Sequence, residues 1–445
     1  MNTIGISVYV SFDDTDSTEG LCTTYLATEI IRRMDLDLIG YPRLVRLNPA
    51  VPWKTRGNGS LSLRLGKGFG KKTKIGNIGS KEIFCFEEQT SEEPDEEELM
   101  RSVIPIIKEN RESSSDSGIV ISKKKPSHKF YWDGVRSIVE KQDILDELDR
   151  IGATYCEFGN GRGLIGSTCG MAWTPRDSTY ELIAYRPKER WGTDRVFEKA
   201  SIGRMNEAFT STFNSWEERF CKVSMVPGTP CPLMYGLRGD SVEDLPKAAE
   251  MIFTEPLERK IIFLTNQGTD DHIITDFDSL EPMRSYYIEG DVVSIRNLTG
   301  GHVVMNIKTS FGDLDCTAYE PSKEFRTTIR WLFPGDRIGV MGELRVEPRT
   351  INIEKMKVIR TVREVIKISN PVCEMCGRNM ESVGKDKGYR CRPCRTSSSE
   401  AVFKENMRWI LPGWYEPPTS SRRHLSKPLK RMGVEQPVDF VNRRT

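Results

Sequence analysis

The run from Ile6 to Phe12 is rich in apolar residues and predicts a buried strand that ends in Asp13-Asp14-Thr15-Asp16-Ser17-Thr18-Glu19-Gly20. Leu21 to Arg33 carries apolar residues at helical spacing. Asp16, with Glu19 three residues on, has the form of a capping box, so a helix is expected directly after the acidic turn. Strand-like Leu44–Leu47 and Leu61–Leu65 bracket Pro52-Trp53-Lys54-Thr55-Arg56-Gly57-Asn58-Gly59. Polar clusters over Glu87–Glu98, Ser113–Ser117 and Lys123–Lys125 read as loops and helix faces. A helical pattern resumes over Asp143–Arg150, followed by strand-like Tyr155–Phe158 and a glycine-rich loop, 159–166. Between about Arg195 and Asp278 the pattern is α+β, with helices near Glu198–Phe209 and Val242–Ala249 and a strand at Lys260–Leu264.

The rhythm changes after Tyr286. Strand patterns fall at Tyr287–Ile295, His302–Ile307, Leu314–Tyr319, Asp336–Val346 and Ile351–Val358, with one helix pattern, Ser322–Leu332, between the third and fourth. That order is the one expected of an OB-fold, an open barrel that commonly binds single-stranded nucleic acid.

A length of 445 residues exceeds what one core can serve, and roughly three or four domains are expected. With 29% charged residues and a mean hydropathy of -0.47, the composition fits neither a membrane protein nor a mostly disordered chain. No apolar run is long enough to span a bilayer, and the first residues lack a secretory pattern, so a cytoplasmic location is expected. Residues 366–445 hold 16 Lys/Arg against 8 Asp/Glu, which leaves residues 1–365 at −7 in a chain of net charge +1. This basic end suits a polyanion partner, although ordinary solvated surfaces also reach such a surplus.

Four of the eleven cysteines form a pattern: Cys373-x-x-Cys376 and Cys391-x-x-Cys394, fourteen residues apart. Each pair presents two thiolates from one turn, so together they predict a structural zinc ribbon with no coordination position left for catalysis. The other seven, Cys22, Cys85, Cys156, Cys169, Cys221, Cys231 and Cys316, read as buried hydrophobes in a reducing compartment.

Asp13, Asp14 and Asp16 crowd carboxylates at the end of one strand. Such a cluster suits magnesium carrying a nucleotide triphosphate; a solvated turn with an Asp cap explains Asp16 equally well. Two glycine-rich loops offer phosphate contacts: Lys54, Arg56, Asn58 and Gly59 in one, and Gly161, Arg162 and Gly163 in the other. Tight hairpins are the competing reading of both. Gly161-x-Gly163-x-x-Gly166 matches a dinucleotide fingerprint only formally, because Pro175 cuts the following helix short and no acidic residue after a second strand is evident.

Together, the 13–20 acidic stretch, Lys54-Thr55-Arg56-Gly57-Asn58-Gly59 and the cysteine quartet resemble the archaeal isoleucine-tRNA 2-agmatinylcytidine synthetases. Arg162-Gly163-Leu164-Ile165-Gly166, Tyr235-Gly236-Leu237-Arg238-Gly239, Asn266-Gln267-Gly268-Thr269-Asp270, Gly300-Gly301-His302-Val303 and Ala318-Tyr319-Glu320-Pro321 are similar to the family in the same order. The resemblance implies a multidomain α+β chain. Its parts would be a kinase-like ATP domain over 1–194, a ferredoxin-like domain over 195–284, an OB-fold over 285–365, a zinc ribbon over 366–400 and a basic tail over 401–445. It further implies an enzyme that spends ATP, released as AMP, to join agmatine to the wobble cytidine of a CAU-anticodon isoleucine tRNA, so that AUA is read in place of AUG. On that resemblance Asp13, Asp14 and Asp16 hold magnesium, Thr18 matches a threonine that becomes phosphorylated, and Asp270 is a candidate acceptor for agmatine.

Two stretches depart from the family pattern. Cys231 stands where an aspartate is expected between Pro230 and Pro232, and Ser113–Ser117 lacks an Asn/Pro-containing loop. A non-catalytic binder, working through its OB-fold and ribbon, is the alternative from another functional class, and a different amine or base is the alternative within the enzyme class.

Overall fold

Val8–Asp13 lies between two antiparallel neighbours, Gly59–Gly66 and Gly118–Ser122. Its apolar positions Val8, Val10 and Phe12 are fully buried, so this strand sits at the centre of the N-terminal core. The computed structural model describes residues 7–16, 20–54, 57–90, 94–406 and 408–437. Within them, one sheet of twelve strands joins the N-terminal part of the chain to Thr179–Tyr185, Leu233–Gly239 and Arg259–Thr265. Arg259–Thr265 makes the junction, running parallel to Arg43–Arg46 and antiparallel to Gly68–Ile78. Gly76 is required at this crossing, because a Cβ there would sit 1.8 Å from the Lys260 carbonyl oxygen. Thr179–Tyr185 has both its sheet neighbours beyond residue 195.

The first helix corrects the expected start. It spans Thr23–Arg33 and is preceded by an extended Cys22 that makes no side-chain cap, with Asp16 six residues further upstream. Leu21 takes a left-handed φ of 53° just before the helix begins. Glu19 lies outside the described residues. The helix is tied to the sheet by Arg259, which donates to Thr28 Oγ1 (2.7 Å), Glu29 Oε1 (2.7 Å) and the Tyr25 hydroxyl (2.9 Å). Burial alone would raise the Glu29 carboxyl, but hydrogen bonds from Arg32 and Arg259 outweigh it and bring it down to about 2.

Of the acidic stretch Glu87–Glu98, the end is a helix face as expected, in the helix Glu96–Asn110, and the start belongs to a strand, Lys81–Gln89, where a loop was expected. Asp95 caps that helix by accepting the Glu98 N–H at 2.8 Å, and Glu96–Glu98 occupy the first turn, where the helix dipole favours negative charge.

The second core belongs to a closed barrel. Arg284–Asn297 pairs with both Val303–Thr309 and Arg337–Leu344, while Gly312–Ala318 meets Ile351–Arg360 in parallel, and the ring is complete. Phe325–Arg330 is the helix between the third and fourth strands. The tail is part of this fold: Gly413–Tyr415 adds to Ile351–Arg360, and Tyr415 is buried in the barrel core. Val402–Asn406 likewise pairs with Glu364–Ser369 ahead of the cysteine quartet. No helix among the described residues is long and apolar enough to cross a membrane.

Candidate active site

Asp13, at the end of the central strand, opens onto a cavity of about 900 Å³ that Asp14 and Asp16 also line. Asp14 takes a left-handed φ of 55° and donates its backbone N–H to Asp13 Oδ1 at 2.7 Å. Burial first, then repulsion from Asp14 and Asp16, pushes the Asp13 carboxyl up to about 8, against a smaller pull from Arg46. The helix Gly163–Ala172 packs against this carboxylate so closely that a Cβ on Gly166 would lie 1.7 Å from Asp13 Oδ2. Cluster and loop therefore meet at one point, which the sequence alone left open.

The glycine-rich loops contribute unevenly. Lys54, Asn58, Gly59, Arg162 and Gly163 line the cavity, and Gly161 does not. Lys54 donates Nζ–H to the Pro49 (2.6 Å) and Val51 (3.0 Å) carbonyls, which curls its own loop. Asn58 donates to the Asn48 carbonyl at 3.1 Å, and the Arg162 guanidinium lies 4.4 Å from the Trp53 ring centre. Gly161 holds the turn before the helix, at φ 69°. Thr18 and Arg56 lie outside the described residues.

Asp270 stands apart from the cavity. Its carboxylate takes the Lys355 ammonium at 2.8 Å and the Lys427 backbone N–H at 2.7 Å, and its own N–H donates to the Leu425 carbonyl. These contacts fasten the tail to the barrel.

Several cavity residues escaped the sequence reading. Arg46 comes from the strand Arg43–Arg46, Glu181 and Arg238 from the two strands that extend the sheet, Glu343 from the barrel, and Arg423 and His424 from the tail. Arg423 ion-pairs with Glu343 and, at 3.2 Å, with Glu354, which His272 also contacts at 2.8 Å. Burial would raise the Glu354 carboxyl, but Arg423, His272 and Lys355 hold it down at about 2. Arg238 and Gln267 stand inside stretches that resemble the family; Arg423 and His424 carried no sequence signal beyond the basic tail. Cys22 and Cys231 also line the cavity. Burial first, then the neighbouring charge of Asp16, lifts the Cys22 thiol to about 11, so it stays protonated there.

The cysteine quartet converges as its spacing predicts. Cys373, Cys376, Cys391 and Cys394 place their sulfurs within 4.8 Å of one another, close to the separation of about 3.8 Å that four zinc–thiolate bonds require. The two turns match: Gly377 N–H donates to the Cys373 carbonyl and Arg395 N–H to the Cys391 carbonyl, both at 2.8 Å. Replacing Cys373 by Ser should release about one zinc per chain and unfold the ribbon locally, because a structural zinc supplies the folding energy of so small a unit. Metal analysis checks this, and full zinc content in the variant would refute it.

Comparison with known proteins decides the family. The TiaS TCKD domain matches residues 9–160, the TiaS FLD domain residues 161–272, and the TiaS C-terminal zinc ribbon domain residues 370–410. The chain belongs to the TiaS family. The isoleucine-tRNA 2-agmatinylcytidine synthetase TiaS of Archaeoglobus fulgidus is 38% identical over 441 residues, covering 96% of this chain and 98% of that one. Two crystal structures of TiaS with its isoleucine tRNA, one with ATP (37% identity, TM-score 0.83) and one with AMPCPP and agmatine (35%, 0.80), superpose on 98% of this chain and 100% of theirs. The mixed α/β multidomain architecture with a terminal zinc ribbon is thus a TiaS architecture throughout.

Proposed function

We propose that this chain joins agmatine to the wobble cytidine of a CAU-anticodon isoleucine tRNA at the expense of ATP, giving 2-agmatinylcytidine and converting an AUG reader into an AUA reader. Full-length similarity to TiaS enzymes supports this reading. The observation that carries it is the single cavity in which the Asp13–Asp16 carboxylates, two phosphate-suited loops and residues of the barrel and tail all meet.

The chemistry requires such a meeting. An amine cannot expel a carbonyl oxygen from a cytosine ring until that oxygen has become a leaving group, and phosphorylation makes it one. Asp13, Asp14 and Asp16 fit magnesium, because their crowding, which lifts the Asp13 carboxyl, is what a divalent cation neutralises. Held there, a magnesium ion would supply charge neutralisation for phosphoryl transfer. Lys54, Arg56, Asn58, Gly59, Arg162 and Gly163 are assigned to phosphate or RNA-backbone contacts, Gly161 to shaping that loop, and Thr18 to accepting a phosphoryl group.

In this account, residues 1–194 form a kinase-like catalytic part, 195–284 a ferredoxin-like part and 285–365 an OB-fold, with the ribbon at 366–400. Strand order and a closed five-strand ring support the OB-fold reading. The barrel and ribbon would grip unpaired anticodon bases by stacking and phosphate contact while the N-terminal part performs transfer. Release of AMP that requires both tRNA and agmatine is the expected result with purified protein; tight tRNA binding without any AMP would support the non-catalytic binder instead.

A further inference from the structure

Among the described residues, His424 is the histidine that lines the cavity, and the proposed reaction has not yet used it. Glu181 is buried and can only accept hydrogen bonds: its Oε1 receives Arg238 Nε–H at 3.0 Å and its Oε2 receives Gln267 Nε2–H at 2.5 Å. This fixes the Gln267 amide, whose NH2 faces Glu181 and whose Oε1 therefore faces the tail, 2.9 Å from His424 Nδ1. An amide oxygen cannot donate, so Nδ1 must carry the imidazole proton and Nε2 the lone pair. The ring lines the cavity, and a Cβ on Gly57 would lie 3.2 Å from Nε2 and 2.8 Å from Arg46 Nη1.

The charges around the ring keep it in that form. The ring is exposed to the cavity, and the guanidinium groups around it, Arg46 first and then Arg238, hold the His424 imidazole below its usual range and so favour its uncharged form. Arg423, next in the chain, is occupied by Glu343 and Glu354. The same guanidinium groups disfavour an ammonium nearby, which helps an incoming alkylamine, ordinarily protonated at neutral pH, to arrive uncharged. Two other cavity carboxylates are engaged, Glu181 with Arg238 and Gln267 and Glu343 with Arg423, and the function proposed above assigns the three aspartates to magnesium.

We propose that His424 Nε2 accepts the proton shed by the agmatine nitrogen as it bonds to the activated cytosine carbon. This rests on the function proposed above. The amine lone pair forms the new C–N bond and an electron pair moves onto the ring. The nitrogen, now cationic and strongly acidic, passes its proton to Nε2. The ring pair then returns, the C–O bond to the phosphorylated oxygen breaks, and the phosphate leaves and takes up the proton. Gln267 and Glu181 are positioning residues, since they act only by fixing the imidazole tautomer.

The test compares agmatine with hydroxylamine, which is already uncharged at neutral pH and whose adduct loses its proton readily to water. Wild type, His424→Ala and His424→Gln are each given magnesium, ATP, the tRNA and one amine at saturation, and the modified wobble nucleoside is quantified by mass. The ratio of agmatine product to hydroxylamine product should fall roughly 10²-fold or more in both variants, the scale of a lost general base. Glutamine preserves a hydrogen bond to Gln267 but cannot accept the proton. An unchanged ratio, including equal loss of both products in both variants, would overturn the proposal and leave His424 a structural group. A wild-type protein silent with both amines would instead overturn the function itself, and the base with it.

Discussion

Asp13→Asn is expected to lower tRNA-dependent AMP formation roughly 10²- to 10³-fold while tRNA affinity stays within a few-fold. The substitution keeps volume beside Gly166, where there is no room to spare, and an amide oxygen can still accept the Asp14 N–H. What disappears is one hard anionic oxygen where magnesium and phosphate would sit. Folding should be unharmed, because the change removes like-charge repulsion at a buried carboxyl. Rapid-quench measurement of AMP alongside filter binding of tRNA separates the two effects. Wild-type turnover would reduce the cluster to a turn of no catalytic consequence.

Ending the chain at Pro412 should abolish AMP formation and lower the melting temperature sharply. The truncation removes the strand Gly413–Tyr415, the buried Tyr415, whose hydroxyl bonds to Leu411, and Leu425 and Leu429. Loss of a buried aromatic ring alone costs on the order of 3–5 kcal/mol. It also takes Arg423 and His424 from the cavity wall and strands Glu343 and Glu354 without their arginine. Calorimetry with an AMP assay checks both parts, and a shortened chain that melts and turns over like the full one would refute them.

The legible parts of this molecule are those written in local periodicity. All five barrel strands and their helix were readable within a few residues, because each alternates apolar and polar positions against one core. The pair Gly68–Ile78 and Lys81–Gln89 was not: Lys71, Lys74, Glu82 and Glu87 face solvent in ion pairs, and the few apolar anchors, such as Ile75 and Ile83, are too widely spaced to signal a strand. The cysteine quartet was readable because its geometry is set by short spacing. The aspartates were visible, but the reason they matter was not, since Arg46, Glu181 and His424 reach them only through strand pairings and tail packing between distant segments. The ties of Asp270 were hidden for the same reason: its partners Lys355 and Lys427 lie 85 and 157 residues away.

The most direct measurement is the mass of the wobble nucleoside after the protein has been incubated with magnesium, ATP, agmatine and a CAU-anticodon isoleucine tRNA transcript. The expected product is a cytidine heavier by agmatine less one water, formed only when all three substrates are present and absent from a transcript with uridine at that position. Unmodified cytidine from intact, zinc-loaded protein would contradict the proposed function.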